Sequence, residues 1–280
     1  MRKATKIVLV AGLAGVLVHI IHALTLDKII EFKEERFRSP RVPLEMDGYK
    51  LAFICDTHCM SKDLLEMVVE ELNYRKLNML LLGGDYSSDY DASWQTMAIL
   101  SQVETTDGIY GVEGNHDNHE TLFAAMEKHS IISLSNSSRY IREHFLLAGV
   151  EDLWNRRPSV DDAISGVGPE DFVVLLSHNP DTTMLQETSG VDLVLSGHTH
   201  GGQATLFGLW APHLVSNFSM TSRAITDYNQ RFKSGWALSH DGVPVYVSNG
   251  AGQDRPRVFA RPQVTLITLL HDGKKDDKYR

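Results

Sequence analysis

Cysteine is scarce in this chain of 280 residues: Cys55 and Cys59 are the two present, which excludes a disulfide-built scaffold. Positive charge is in deficit, with 27 Lys and Arg against 36 Asp and Glu and a formal net charge of −9. A surface of that sign argues against a general nucleic-acid binder, and no nucleic-acid partner is expected. Internal repeats and low-complexity tracts are missing too. Charge of either sign disappears from residues 7–26, between Lys6 and Asp27. What is present is 42% hydrophobic and 22% charged, enough apolar material for one large domain or two small ones.

An uncharged helix over residues 7–26 reaches about 30 Å, the thickness of a bilayer core. Arg2, Lys3 and Lys6 precede it, so the segment reads as a signal peptide or a retained transmembrane anchor. The length of the run and the mediocre cleavage site at Ile21-His22-Ala23 favour the anchor; secretion after cleavage is the alternative. Lys28, Lys33, Arg36, Arg38 and Arg41 follow the span closely, so flanking charge does not set the side of the membrane. His19 and His22 read as interfacial residues rather than as a metal site.

Residues 27–44 are expected to form an amphipathic linker, with 27–38 as an interfacial or solvated helix broken at Pro40 and Pro43. The main domain is placed at 45–270 and a charged tail at 271–280. Strands are expected at 49–55, 78–82, 108–112, 145–150, 172–177 and 191–196, with helices at 63–75, 92–102 and 120–129. This βαβα order predicts an α/β layered domain. Further strands at 203–207, 235–239, 243–248 and 264–270 suggest a second sheet fed by the last third of the chain.

Acidic, histidine and asparagine residues fall just past the apolar runs. Asp56 and His58 follow the first, Gly83-Gly84-Asp85 the second, and Gly114-Asn115-His116-Asp117 the third. Ser177-His178 and Gly197-His198-Thr199-His200 follow later ones. Strand ends in an α/β sheet converge on one edge, where ligands bind. Carboxylate, imidazole and amide oxygen together suit Mn, Fe or Zn rather than a thiolate site. D-x-H and H-x-H each direct two ligands the same way from one extended segment. The glycines beside Asp85, Asn115 and His198 are expected to supply sharp turns. A bridging carboxylate would ease repulsion between two ions about 3.5–4 Å apart.

The series D-x-H, G-G-D, G-N-H-D, S-H and G-H-T-H-G-G-Q resembles the calcineurin-like metallophosphoesterase superfamily. S-H-N-P-D at 177–181, the block at 191–203 and R-P-x-x-T-L-I-T-L at 261–269 are similar to its bacterial membrane-associated phosphodiesterase branch. The resemblance covers residues 45–270. It implies a four-layer α/β/β/α sandwich of two mixed sheets, here preceded by one N-terminal transmembrane or signal helix. It further implies two divalent metal ions, the first held by Asp56, His58, Asp85 and His200. The second would be held by Asp85, Asn115, His178 and His198, with Asp85 bridging and a hydroxide between the ions as nucleophile. His116 would act as general acid or as a clamp on the phosphoryl group, together with Asn115. Many relatives carry an Asp three residues past the bridging Asp to orient that His. Ser88 occupies the position here, which leaves Asp89, Asp117 or no residue in the role. Cys55 and Cys59 flank the D-x-H loop and are expected as free thiols. Arg255 and Arg257 are candidates for contact with the phosphoester, and 207–234 is a candidate flap. The implied reaction is hydrolysis of a phosphodiester or pyrophosphate, with a lipid-linked substrate suggested by the anchor. The alternatives are a phosphomonoesterase, weakened by the missing G-D-x-x-D-R-G, or an inactive membrane-bound scaffold, disfavoured because every ligand position is filled.

Overall fold

Residues 49–54 alternate in the direction of their burial. Leu51 and Phe53 enter one apolar layer while Ala52 and Ile54 enter another, as a strand covered on both faces requires. The computed structural model describes residues 2–58, 60–87, 89–214, 225–253 and 257–273. In chain order its elements are α1 (Arg2–Leu24), β1 (Glu31–Ser39), β2 (Tyr49–Ile54), α2 (Lys62–Arg75), β3 (Met79–Leu82), α3 (Tyr90–Leu100), β4 (Ile109–Gly111), α4 (His119–Lys128) and β5 (Ile132–Ser133). The second half contributes β6 (Ser137–Arg142), β7 (Phe145–Gly149), α5 (Val160–Ala163), β8 (Phe172–Leu176), α6 (Thr182–Leu185), β9 (Leu193–Ser196), β10 (Gly235–Leu238), β11 (Pro244–Val247) and β12 (Gln263–His271).

The strands form two six-stranded mixed sheets, ordered β1-β12-β2-β3-β4-β5 and β10-β11-β9-β8-β7-β6. Phe53, Leu81, Tyr110, Phe145, Phe172 and Leu195 pack between the sheets. Ile54, Leu80 and Leu82 face the opposite way, onto Leu65 and Val68 of α2, Met97 of α3 and Leu122 of α4. Val173, Leu175 and Val194 meet Val160 of α5 on the far side. The result is the expected α/β/β/α sandwich. β2, β3 and β4 run parallel in one sheet and β7, β8 and β9 in the other, so each trio ends at a common edge. Helix caps limit the loops there. Ser61 accepts from the Leu64 amide, Asp89 from Ala92 and Asn118 from Thr121, each closing a loop that leaves a strand.

Three expectations are corrected. Residues 31–39 form no helix: they are β1, paired in parallel with β12 from Glu31↔Gln263 to Ser39↔His271. The strand lies at a sheet edge, where charged residues are well tolerated and hide the period of two. The sheet therefore begins upstream of residue 45, inside the stretch read as a linker. Second, the C-terminal third does not form the second sheet alone. β10 and β11 join β6–β9, whereas β12 returns to the first sheet between β1 and β2. Third, 203–207 is not a strand but carries isolated pairings of Ala204 with Val258 and Leu206 with Trp210. His271 ends β12, its amide donating to Asp47, and so belongs to the fold; residues 274–280 lie outside the described residues.

α1 is apolar along Ala4–Lys28, unburied, and long enough to cross a membrane. Phe37 of β1 is buried beside Phe172 and Trp236, at ring separations of 6.0 and 6.1 Å. Phe37→Ala should cost about 3 kcal/mol in denaturant unfolding. An unchanged unfolding midpoint would return 31–39 to the status of a linker.

Candidate metal centre

Five of the six loops at the common edge deliver a donor. Asp56 and His58 leave β2, Asp85 leaves β3 and Asn115 follows β4; His178 leaves β8, and His198 and His200 leave β9. Donor atoms of Asp56, His58, Asp85 and His200 gather within 4.8 Å of one another, as do those of Asp85, His178 and His198. Asp85 belongs to both groups. Its Oδ2 lies 3.6 Å from His58 Nε2 on one side and 3.3 Å from His178 Nε2 on the other. His58 Nε2 stands 3.1 Å from His200 Nε2, His200 Nε2 3.4 Å from Asp56 Oδ1, and His178 Nε2 3.3 Å from Asn115 Oδ1.

These separations suit metal ions. Ligand bonds of about 2.0–2.2 Å place neighbouring donors of one ion about 3–3.6 Å apart. Two imidazole nitrogens facing each other at 3.1 Å share one proton at most, but both can present lone pairs to a cation. The remaining ring atoms are fixed in the manner of metal ligands. His178 Nδ1 lies 2.7 Å from the Gly83 carbonyl, so it carries the proton and Nε2 faces the site. His198 Nε2 donates to the Ile225 carbonyl at 2.9 Å, which leaves Nδ1 for a ligand. Ile225 is held there by Asp181, which accepts from the Thr226 hydroxyl and the Asp227 amide.

Charge balance points the same way. Asp56, Asp85 and His178 are at most 1% exposed. Burial alone would lower the pKa of His178, but the Asp85 and Asp56 carboxylates outweigh it and raise it well above the usual value. The cavity thus holds a proton where a cation is wanted. Burial, helped by His178, lowers His198 to about 3. Burial and then the Arg257 cation hold His200 well below the imidazole range. Both stay neutral, as metal ligands must.

The backbone around the donors is tightly constrained. Asp56, His58, Asp85, His198 and His200 all adopt positive φ, a cluster of strained residues of the kind found at functional sites. Gly84 also has positive φ, at 93°, and supports the sharp-turn expectation. Gly114 and Gly197 have another reason to be glycine: a Cβ would fall 2.2 Å from Asp85 Oδ1 or 2.4 Å from Asp56 Oδ2. Asp117 laces two loops together, accepting from the amides of Asp85, Gly114, Tyr86 and Ser87 at 2.8 to 3.2 Å. Burial and the Asp85 charge raise its carboxyl to about 7, against the pull of those amides. His116 is exposed beside the centre, its ring 5.3 Å from that of His58, while its amide donates to Asp85 Oδ1. Asp89 caps α3, and both Asp117 oxygens face backbone amides.

A pocket of about 320 Å³ opens over the donors, lined by His116, Trp154, Asn155, Gln203, His213 and Ile225 among others. Trp154 and Asn155 follow β7 and went unnoticed in the sequence. Both are ordinary loop residue types, and the rule of strand ends was the one signal for them. The Asp152 carboxylate accepts from their amides, and Trp154 packs edge-on to His198 at 4.6 Å. Arg257 is not brought to this pocket. It is buried behind His200, donating to the carbonyls of Asn249, Ala260 and His200. Arg255, Cys59, Ser88 and 215–224 of the expected flap lie outside the described residues. Cys55 is buried and free.

The strand ends of the two sheets thus meet around a shared carboxylate and flanking imidazoles, a candidate centre for two metal ions. The sequence model of the calcineurin-like phosphoesterases matches residues 49–202, more than half of the chain, and the chain belongs to that family. It is 28% identical over 236 residues to an uncharacterized metallophosphoesterase of Helicobacter pylori, covering 79% of this chain and 60% of that relative. It is 26% identical over 245 residues to the phosphodiesterase YaeI of Escherichia coli, covering 79% and 82%. A Danio rerio transmembrane protein with a metallophosphoesterase domain is 27% identical over 254 residues, covering 82% of this chain and 55% of that relative. The chain therefore spans less than two thirds of the length of the first and last of these relatives.

Gly114→Ala should drive Asp85 from its place and lower manganese affinity by about 10- to 100-fold in calorimetric titration. Wild-type affinity and stoichiometry in that variant would contradict the packing argument.

Proposed function

We propose that the chain is a membrane-anchored phosphodiesterase with two divalent ions, Mn, Fe or Zn, held by Asp56, His58, Asp85, Asn115, His178, His198 and His200. One observation carries the choice of diester: the described pocket lining holds no Lys or Arg. A phosphomonoester carries about −1.5 to −2 charges near neutral pH and favours cationic clamps. A diester carries a single negative charge and two organic arms, which suit a wall of His, Asn, Gln and Trp. The E. coli phosphodiesterase among the relatives agrees with this reading. When bound, the metal pair supplies Lewis-acid polarisation of the phosphoryl group and a water acidic enough to attack it.

The protein supplies the rest. Asp85 and Asp56 anchor the donor loops, and the amide lacing of Asp117 keeps Asp85 in register. Asp117 thus acts as a positioning residue rather than by orienting the His116 ring. His116, exposed at the pocket, protonates the departing oxygen. Asn115 and His116 contact the phosphoester, and Trp154, Asn155 and Gln203 receive its organic arm. Arg257 keeps His200 neutral and fixed from behind, so the substrate contact first expected of it is withdrawn. α1 holds the enzyme at a membrane, as in the transmembrane zebrafish relative, and a lipid-linked diester is the substrate class that fits.

The test uses purified full-length protein in detergent with manganese. Bis-p-nitrophenyl phosphate should be hydrolysed with a higher kcat/KM than p-nitrophenyl phosphate. His116→Ala should lower kcat by about 10²- to 10⁴-fold while retaining its metal. Faster monoester turnover would overturn the diester reading, and an unimpaired His116→Ala would remove the proposed acid.

A further inference from the structure

The pocket rim runs directly into the base of α1. Gln203 and His213 line the pocket, and the turn between them carries Leu206, Phe207, Leu209 and Trp210, all exposed. Leu209, at 80% exposure, is among the most exposed large apolar residues outside α1. No Asp, Glu, Lys or Arg occurs between Asp192 and Arg223, so the turn has no charge of its own in sequence. It packs on the anchor: the Phe207 ring lies 4.2 Å from that of His19 in α1, and the Phe207 amide donates to His19 Nε2.

The turn also meets the backbone requirement for apolar surroundings, where unpaired polar groups are costly. The Leu206 amide donates to the Trp210 carbonyl, the Leu209 amide to the Leu206 carbonyl, and the Gly208 amide to the Thr205 hydroxyl. Lys233 donates to the carbonyls of Gly208 and Leu209 from the protein side. That pairing leaves few backbone groups in need of water, which suits a loop lying where headgroups meet hydrocarbon, a depth that Trp and Phe favour.

We propose that the 206–210 turn is a second membrane contact, inserted into the interface of the bilayer that α1 enters, with the pocket mouth set on the headgroup layer. The occupant is the lipid surface itself, because the exposed apolar turn is continuous with a membrane helix. The proposal rests on the reading of α1 as a retained anchor and deepens the lipid-linked diester reading. A phosphoester in the headgroup plane would reach His116 and the metal ligands without leaving the membrane.

Three variants of the full chain in a Cys59→Ser background, Leu209→Cys, Leu13→Cys and Tyr74→Cys, each keeping the buried Cys55, would carry an NBD label on the introduced cysteine. They would be reconstituted into phosphatidylcholine–phosphatidylglycerol vesicles with or without brominated lipid. Leu13 lies in α1, and Tyr74, 83% exposed, lies on α2. The Leu209 label should shift to the blue and be quenched several-fold more than the Tyr74 label, approaching the Leu13 label. Quenching at Leu13 but not at Leu209 overturns the proposal and leaves the anchor in place. A blue shift at Leu209 indifferent to brominated lipid would mean a protein partner or a second copy, and overturns it too. No quenching at either site removes both the turn and the anchor. Turnover is not read, so the phosphodiester assignment stands or falls separately.

Discussion

Two carboxylates, Asp56 and Asp85, sit almost without exposure where the two sheets end. Negative charge at that depth is costly unless matched by positive charge. In the protein alone, that demand raises the proton affinity of His178. In the proposed function metal ions meet it, and the rest of the fold holds the carboxylates in place. Asp56 is tied to the second sheet through the His198 amide, and Asp85 to the third loop through the His116 amide. Asp56 cannot turn to solvent without breaking that joint between the sheets.

The same constraint explains the local chemistry of the loops. Gly114 and Gly197 leave room for carboxylate oxygens, and the donors themselves carry the left-handed backbone. This strain is sustained by the caps of α2, α3 and α4 and by the lacing at Asp117. The sheet cores behind the loops, filled by Phe53, Leu81, Phe145 and Phe172, are rigid enough to hold it.

Much of the centre was legible in the sequence, because Asp, His and Asn stand out when each follows a run of buried aliphatics. The layered fold was legible for the same reason, since β2, β3, β7, β8 and β9 are nearly uninterrupted hydrophobic stretches. Other features were hidden by physics. β1 is an edge strand whose charged residues imitate a helix, and its partner β12 lies more than two hundred residues away. Trp154 is no metal ligand, and Asn155 stands in the sequence without an adjacent His or Asp, unlike Asn115. Arg257 has the residue type of a phosphate clamp, and burial alone assigns it to the back of His200. The glycines were rightly noticed, but two of them serve space rather than φ.

The N-terminal helix and the centre are one structure. Asp27, at the foot of α1, accepts from the amides of Phe259 and Ala260, two and three residues past the arginine that backs His200. α1 is therefore braced against the wall of the site rather than joined to it by a free linker. All of this depends on two neighbouring ions sharing Asp85. Electron paramagnetic resonance during manganese titration of the full-length protein tests that point most directly. Two ions about 3.5–4 Å apart should give a spin-coupled signal that completes at two equivalents. An uncoupled mononuclear signal that saturates at one equivalent would contradict the account.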